Sequence, residues 1–228
     1  MHTIVISVGG SIIVPEDVDH KFLAELRKVI AKISLKHKIV ICTGGGSTAR
    51  RYIGVLKKAG ANNYMQDTVG IDATRLNARL VAVFLSANAL IRCNTEVPKS
   101  LEEIKFLLKT HNVVVCGGLR HGQTSDGTTA EIAEYLDSPE MINLTNVRGL
   151  FTKDPRKHRD AKFIQRISHA DFTKMLEKIE AKPGQHFVLD AVAEEIARKN
   201  CMKVVILKGA SNLEGYVEGK GFEGTVVQ

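Results

Sequence analysis

The sequence predicts an α/β protein built on a mostly parallel sheet with helices on both faces. Three observations carry this. Short β-branched runs alternate with amphipathic stretches, three of the runs end in glycine clusters, and the 228 residues are 44% hydrophobic and 25% charged. Parallel strands need helical crossovers, so the alternation selects a parallel sheet. The composition is that of a globular chain long enough to bury one substantial core.

The elements follow in order. Residues 3–8 form a β-branched run closed by Gly9-Gly10, a buried strand ending in a tight turn. Phe22, Leu23, Leu26, Val29, Ile30 and Ile33 recur at helical spacing with Lys and Glu between them, as on a helix packed against a sheet. Residues 38–43 give a second strand and Gly44-Gly45-Gly46 a turn. A helix from Ser47 onward is expected to carry Ala49, Tyr52, Ile53 and Leu56 inward. A further helix is expected over residues 71–84. Ser100 with Glu103 makes a capping box before a helix at residues 101–108, and residues 113–116 form a strand ahead of Gly117-Gly118. In the second half, residues 141–145 and 203–207 read as strands and residues 168–179 and 190–199 as helices. Two basic, turn-rich loops, residues 153–162 and 182–186, are candidate lids. With no internal repeat or linker, one domain is expected over residues 1–228, its halves meeting near residues 136–141.

A net charge of +7 and a pI near 9.2 favour an anionic partner. Nucleic acid is disfavoured: Trp is absent, aromatics are 5%, and the basic residues are scattered through helices without stacking aromatics between them. Small phosphorylated ligands account for the charge equally well. Cys42, Cys93, Cys116 and Cys201 lack C-x-x-C or Cys/His spacing and read as buried thiols rather than zinc ligands. No signal peptide and no membrane-length apolar stretch is visible, so a cytoplasmic location is expected.

Gly9-Gly10-Ser11, Gly44-Gly45-Gly46-Ser47 and Gly117-Gly118 each close a strand. Glycine lets the backbone approach a phosphate and turn its N–H groups inward, and a following helix N-terminus adds a favourable dipole. Each cluster alone is better explained as a tight turn, a reading that three clusters at three strand ends weaken. None is a Walker A loop, and none has G-x-G-x-x-G spacing. What remains is a phosphate or nucleotide binder that uses separate glycine turns from several strands.

The order Val-Gly-Gly-Ser, then Thr-Gly-Gly-Gly followed by Ala-Arg-Arg-Tyr, then Asn-Val-Arg-Gly-Leu-Phe-Thr-Lys-Asp-Pro at residues 146–155, resembles the amino acid kinase family. With the terminal Gly224-Thr225 the resemblance spans essentially the whole chain. Gly122-Gln123-Thr124-Ser125-Asp126 and Ala49-Arg50-Arg51-Tyr52 are similar to the archaeal uridylate kinase branch. The resemblance implies an open, three-layer αβα sandwich. It places a UMP half at about residues 1–140 and an ATP half at about residues 141–228, and it implies a homohexamer built from dimers. The reaction implied is transfer from ATP, with Mg²⁺ carried mainly on the ATP phosphates, to the α-phosphate of UMP.

The resemblance also assigns roles by position. Ser7, Val8, Gly9, Gly10 and Ser11 would face ATP, Gly44 would approach UMP, and Gly45 the transferring phosphoryl group. Arg50, one helical turn on, would hold phosphate. Asp67, expected just ahead of a helix start, would accept ribose hydroxyls. Arg120, His121, Gly122, Gln123, Thr124, Ser125 and Asp126 would wrap the acceptor, with Asp126 organising cations. Thr145, Asn146, Phe151 and Asp154 would contact adenine and ribose. Gly10, Gly45, Arg50 and Asp126 are the catalytic candidates.

Other readings stay open residue by residue. Arg50 also reads as a solvated helix arginine, Asp67 as a loop or capping aspartate, and Asp126 as the N-cap of the next helix. Phe151 also reads as core and Asp154-Pro155 as a turn. Many family members carry a lysine where this chain has Ser7, so the charge stabiliser has to be sought elsewhere. Arg50, Lys153 and Lys162 are the candidates. An isopentenyl phosphate kinase would carry a G-S-F-G-H-like segment, which is not found. A non-catalytic nucleotide or anion binder on the same fold is the alternative from another class.

Overall fold

The computed structural model describes residues 3–153, 155, 158–180 and 189–228. Asp154 and the expected lid at residues 182–186 lie outside the described residues.

The first half runs β1 (Thr3–Val8), α1 (Gly10–Ile13), α2 (His20–Ile33), β2 (Lys38–Thr43), α3 (Gly46–Lys58), α4 (Asn63–Ser86), α5 (Leu101–Leu107), β3 (Val113–Cys116) and α6 (Ser125–Tyr135). The second half runs β4 (Glu140–Thr145), β5 (Leu150–Phe151), β6 (Phe163–Ile164), β7 (Arg166–Ile167), α7 (His169–Glu180), α8 (Ala191–Lys199), β8 (Lys203–Lys208), α9 (Gly209–Val217) and β9 (Gly224–Val227).

The main sheet has the order β3-β2-β1-β4-β8-β9-β7. Its pairs from β3 through β8 are parallel, β9 runs antiparallel to β8, and β7 is parallel to β9. Alternate residues of each central strand face opposite layers, as the two-residue repeat of a strand requires. Ile4, Ile6, Ile39 and Ile41 join α2, α4 and α9 in one core. Val5, Val40, Cys42 and Val114 join α6, α7 and α8 in the other. The three-layer αβα sandwich follows, with β1 and β4 at its centre. β5 and β6 form a separate antiparallel ribbon.

Helix starts are fixed by side-chain caps that take up orphan backbone donors. Asp19 accepts from the Phe22 amide at 2.9 Å, Asn62 from Met65 at 2.9 Å and Ser100 from Glu103 at 3.2 Å. The expected inward face of α3 is corrected at one position: Tyr52 is 60% exposed, while Ala49, Ile53 and Leu56 are half-buried and Ser47 is the buried residue of that helix. Helix α4 starts well before residue 71, at Asn63, which places Asp67 inside the helix rather than ahead of it. Of the four thiols, Cys42, Cys93 and Cys116 are buried as expected, but Cys201 is exposed in a left-handed turn, φ 50°. Among the described residues no helix is long and apolar enough to cross a membrane.

Candidate active site

The carboxyl ends of β1, β2, β3 and β4 bring the three glycine turns together at one edge of the sheet. Parallel order produces this, because every strand followed by a crossover helix ends on the same side. The first two turns interlock. A Cβ on Gly10 would lie 2.0 Å from the Gly46 amide nitrogen and 2.6 Å from the Gly44 carbonyl carbon. A Cβ on Gly44 would lie 2.5 Å from the Gly10 nitrogen. Gly46 itself takes φ 62°, a left-handed conformation that suits glycine. No side chain fits at this junction, so backbone meets backbone.

Polar side chains, Asn77 and Thr43 buried and Thr74 half-buried, hold the turns from behind. Asn77 Nδ2 donates to the Gly44 carbonyl at 2.8 Å, and Thr43 Oγ1 donates to the Thr74 carbonyl at 2.9 Å. Thr74 Oγ1 accepts from the Gly118 amide at 2.7 Å, pinning the third turn to α4. The Gly44 amide donates to the Val8 carbonyl at 3.0 Å, and the Gly9 amide to the Leu144 carbonyl at 3.1 Å. Val8 therefore offers the site backbone alone, its side chain lying in the core. Ser11 sits half-buried in the first turn of α1.

Ser7 is fully buried, and its hydroxyl donates to Asp126 Oδ1 at 2.8 Å. Asp126 is not the cap of α6. Thr124 is, its Oγ1 accepting from the Gly127 amide at 3.0 Å, and Asp126 stands in the first helical turn. Burial first, and the nearby Asp190 charge in addition, push the Asp126 carboxyl up to about 6, against the hydrogen bonds from Ser7 and Asn143. Ser125 Oγ lies 3.4 Å from where a Gly44 Cβ would be, so the start of α6 abuts the second turn.

Asp190 was not among the sequence candidates. It caps α8, with Oδ1 accepting from the Ala193 amide at 2.8 Å, and its other oxygen accepts a hydrogen bond from the Thr124 hydroxyl. A capping aspartate before a helix was legible at Leu189-Asp190-Ala191; its meeting with Thr124 was not. Asn77, Thr74 and Asn143 were missed too, since each acts through a tertiary contact.

The remaining candidates fall into separate groups. Asp67 Oδ2 accepts from the Gly122 amide at 2.6 Å, joining α4 to the loop at residues 119–124. Arg120 pairs with Glu131 of α6, and Gln123 Nε2 donates to the same Glu131 at 3.0 Å, so both turn toward the helix. His121 is exposed and stacks on Tyr64. Arg50 and Arg51 are both exposed, and neither has an ion-pair partner among the described residues. Half-buried Thr145 and exposed Asn146 follow each other at the end of β4. Phe151 packs edge-on against Phe163 across the β5–β6 ribbon at 5.4 Å. Lys153 pairs with Asp160 at 2.5 Å, and Lys162 is exposed with its amide donating to Thr152 Oγ1 at 3.0 Å.

Comparison with known proteins agrees with this arrangement. The model of the amino acid kinase family matches residues 2–208. The uridylate kinase of Pyrococcus abyssi is 35% identical over 227 residues, 99% of each chain, and that of Methanobrevibacter smithii is 32% identical over 95% of each. The crystal structure of uridylate kinase from Archaeoglobus fulgidus superposes with a TM-score of 0.87 at 30% identity over the whole of both chains. UMP kinase from Bacillus anthracis, at 18% identity, shares the fold with a TM-score of 0.82 over 99% of this chain and 95% of that one.

Proposed function

The chain belongs to the amino acid kinase family, and on that premise we propose that it is a uridylate kinase, transferring the γ-phosphoryl group of MgATP to UMP to give UDP and ADP. The observation that carries the phosphoryl-transfer reading is the interlock of the first two glycine turns. Amides that would serve donor and acceptor phosphates sit back to back with no side chain between them. The uridylate kinases among the relatives, similar over nearly the full chain, support UMP as the acceptor. Residues 1–140 would hold UMP and residues 141–228 ATP, within one domain.

The transfer is in-line and needs no covalent intermediate on the protein. A loose, highly charged transition state is served by positioning and by fixed dipoles more than by acid–base chemistry. Gly10 and Ser11 would present donors to the ATP phosphates and Gly45 to the moving group, while Gly9 and Gly44, whose amides are taken by the Leu144 and Val8 carbonyls, would let the backbone come close to ATP and UMP. These dipoles are already oriented by Asn77, Thr74 and the neighbouring strands, so they need little reorganisation as charge develops. Arg50, exposed and unpaired among the described residues one turn beyond Gly45–Gly46, is the cation best able to swing onto the phosphates. Lys153 is already matched by Asp160. Thr145, Asn146 and Phe151 would take the adenosine, together with Asp154.

The residues present fit Mg²⁺ in the form nucleotide sites commonly use. Asp126 stands beside a second carboxylate, Asp190, in a place where burial disfavours negative charge, so a cation there relieves both. Among the described residues no group of three or more His, Cys, Asp or Glu could form an all-protein cage. A metal carried by phosphates, with one carboxylate helping to hold it, suits that donor set. When bound it would supply charge neutralisation on the transferring oxygens.

The catalyst is proposed to work as a homohexamer assembled from dimers, in the cytoplasm. Exposed apolar side chains on two adjacent helices, Tyr52 and Val55 on α3 and Leu76 and Val83 on α4, support self-association. The deciding experiment measures ADP release with pure MgATP and a panel of acceptors: UMP, CMP, dUMP and isopentenyl phosphate. Turnover confined to or strongest with UMP is expected. Affinity for nucleotide with no product would make the protein a binder instead.

A further inference from the structure

We propose that Tyr64 is a positioning residue for the acceptor nucleotide, its ring clamping His121 so that residues 119–124 stay on α4 while Asp67 serves the ligand; the inference rests on the uridylate kinase reading. The Tyr64 and His121 rings stack with centroids 4.2 Å apart and planes 17° from parallel. One helical turn further along α4, Asp67 takes the amide of the next residue, Gly122, at 2.6 Å. Residues three apart share a helix face, so a single face of α4 grips two consecutive loop residues, one by ring contact and one by a charged hydrogen bond.

The two grips do different work. Gly122 takes φ 72°, and a Cβ there would meet nothing within 4 Å, so this part of the loop has little packing of its own. Asp67 is also the carboxylate proposed to accept ribose hydroxyls. A bound nucleotide would therefore share with the Gly122 amide the carboxylate that anchors the loop. The stack does not compete with the ligand for hydrogen bonds. It keeps the loop in place when Asp67 turns to the ribose, and it lowers the cost of binding by ordering the loop beforehand. Tyr64 is 66% exposed, so the core gives no reason for its ring to lie against His121. Arg120 and Gln123 tie the loop to Glu131 of α6 on the other side, leaving Tyr64 and Asp67 as its anchors on α4.

The test is steady-state kinetics on the full chain with Tyr64→Ala, Tyr64→Phe, His121→Ala and the double variant Tyr64→Ala/His121→Ala. Tyr64→Ala should raise the UMP KM by roughly 2- to 12-fold, the span an aromatic pair supplies, with kcat and ATP KM at wild-type values. Tyr64→Phe should restore the wild-type KM, and the double variant should raise the KM by less than the product of the two single effects. A structural role for the ring would instead lower kcat or raise both KM values together, and either result overturns the proposal. So does a wild-type UMP KM in Tyr64→Ala, or full additivity in the double variant. A wild-type chain that forms no UDP overturns the underlying reading, and the proposal with it; the other failures leave that reading intact.

Discussion

Asp126 is a carboxylate that the fold would rather keep protonated, and replacing it with Asn turns that preference into a measurable quantity. Its pKa rises from the ordinary aspartate value of 3.8 to about 6, through burial first and the Asp190 charge in addition. The native state therefore holds the proton more tightly than the unfolded chain does. Stability from this group is absent above pH 6, grows as the pH falls through 6, and is complete below the unfolded value. A shift of about 2 units corresponds to about 3 kcal/mol. Asp126→Asn keeps the shape and an acceptor for the Ser7 hydroxyl but cannot titrate. The variant should gain on the wild type at high pH, and the difference between the two should move by about four-fifths of those 3 kcal/mol toward the wild type between about pH 8 and about pH 4. Comparing the same pair at both pH values cancels the other titrating groups and the fixed cost of the amide. Reversible urea unfolding, with the slope checked for constancy, measures it. Parallel stability profiles for the two proteins would refute the claim that Asp126 is ionised at a cost. The same substitution should lower kcat, because an amide is a poorer partner for Mg²⁺.

Three further outcomes are expected. Arg50→Ala should lower kcat by ~10²-fold or more, since its interaction strengthens as charge develops, while Arg51→Ala leaves kcat near wild type and Ser7→Lys partly restores kcat in the Arg50→Ala background; equal small effects at Arg50 and Arg51 would move attention to Lys153 and Lys162. Asp67→Asn keeps an oxygen for the Gly122 amide but loses the charge offered to the ribose, so UMP KM should rise with ATP KM unchanged, and an unaltered UMP KM in a steady-state assay would remove Asp67 from the acceptor site. Light scattering at assay concentration should give a hexamer mass, and a fully active monomer would refute the assembly.

Strands with an apolar run and a glycine stop were legible to the residue. β1, β2 and β3 lie where the sequence places them, because burial on both faces keeps their middles apolar, Ser7 of β1 excepted, and the turn glycines mark the ends. The start of α4 was not legible. Tyr64 and Met65 are exposed, so its first turns carry no inward apolar repeat, and the Asn62 cap is what begins the helix. The two-residue strands β5, β6 and β7 are too short to show a period, and β9 owes its place to pairing with β8 and β7. At the site, the glycine turns could be read, but not their interlock. The Ser7–Asp126 bond spans 119 positions and the Thr124–Asp190 bond 66, and one sequence carries no trace of which polar residues will meet. The same blindness made Asp126 look like a cap, although the hydroxyl two residues earlier takes that role.

The contact between Gly10, Gly44 and Gly46 fixes a length in main chain alone. The spacing between the two turns proposed to face phosphate is set by peptide planes in van der Waals contact and by the register of β1 on β2, and no rotamer enters it. Side chains around the acceptor can then change without altering the reach of the transfer step. A pocket redesigned at residues 119–124 or along α4 would inherit the same gap between donor and acceptor. On the proposed assignment, specificity and reaction geometry are separately adjustable: the first would be carried by replaceable side chains, the second by glycines that admit no replacement.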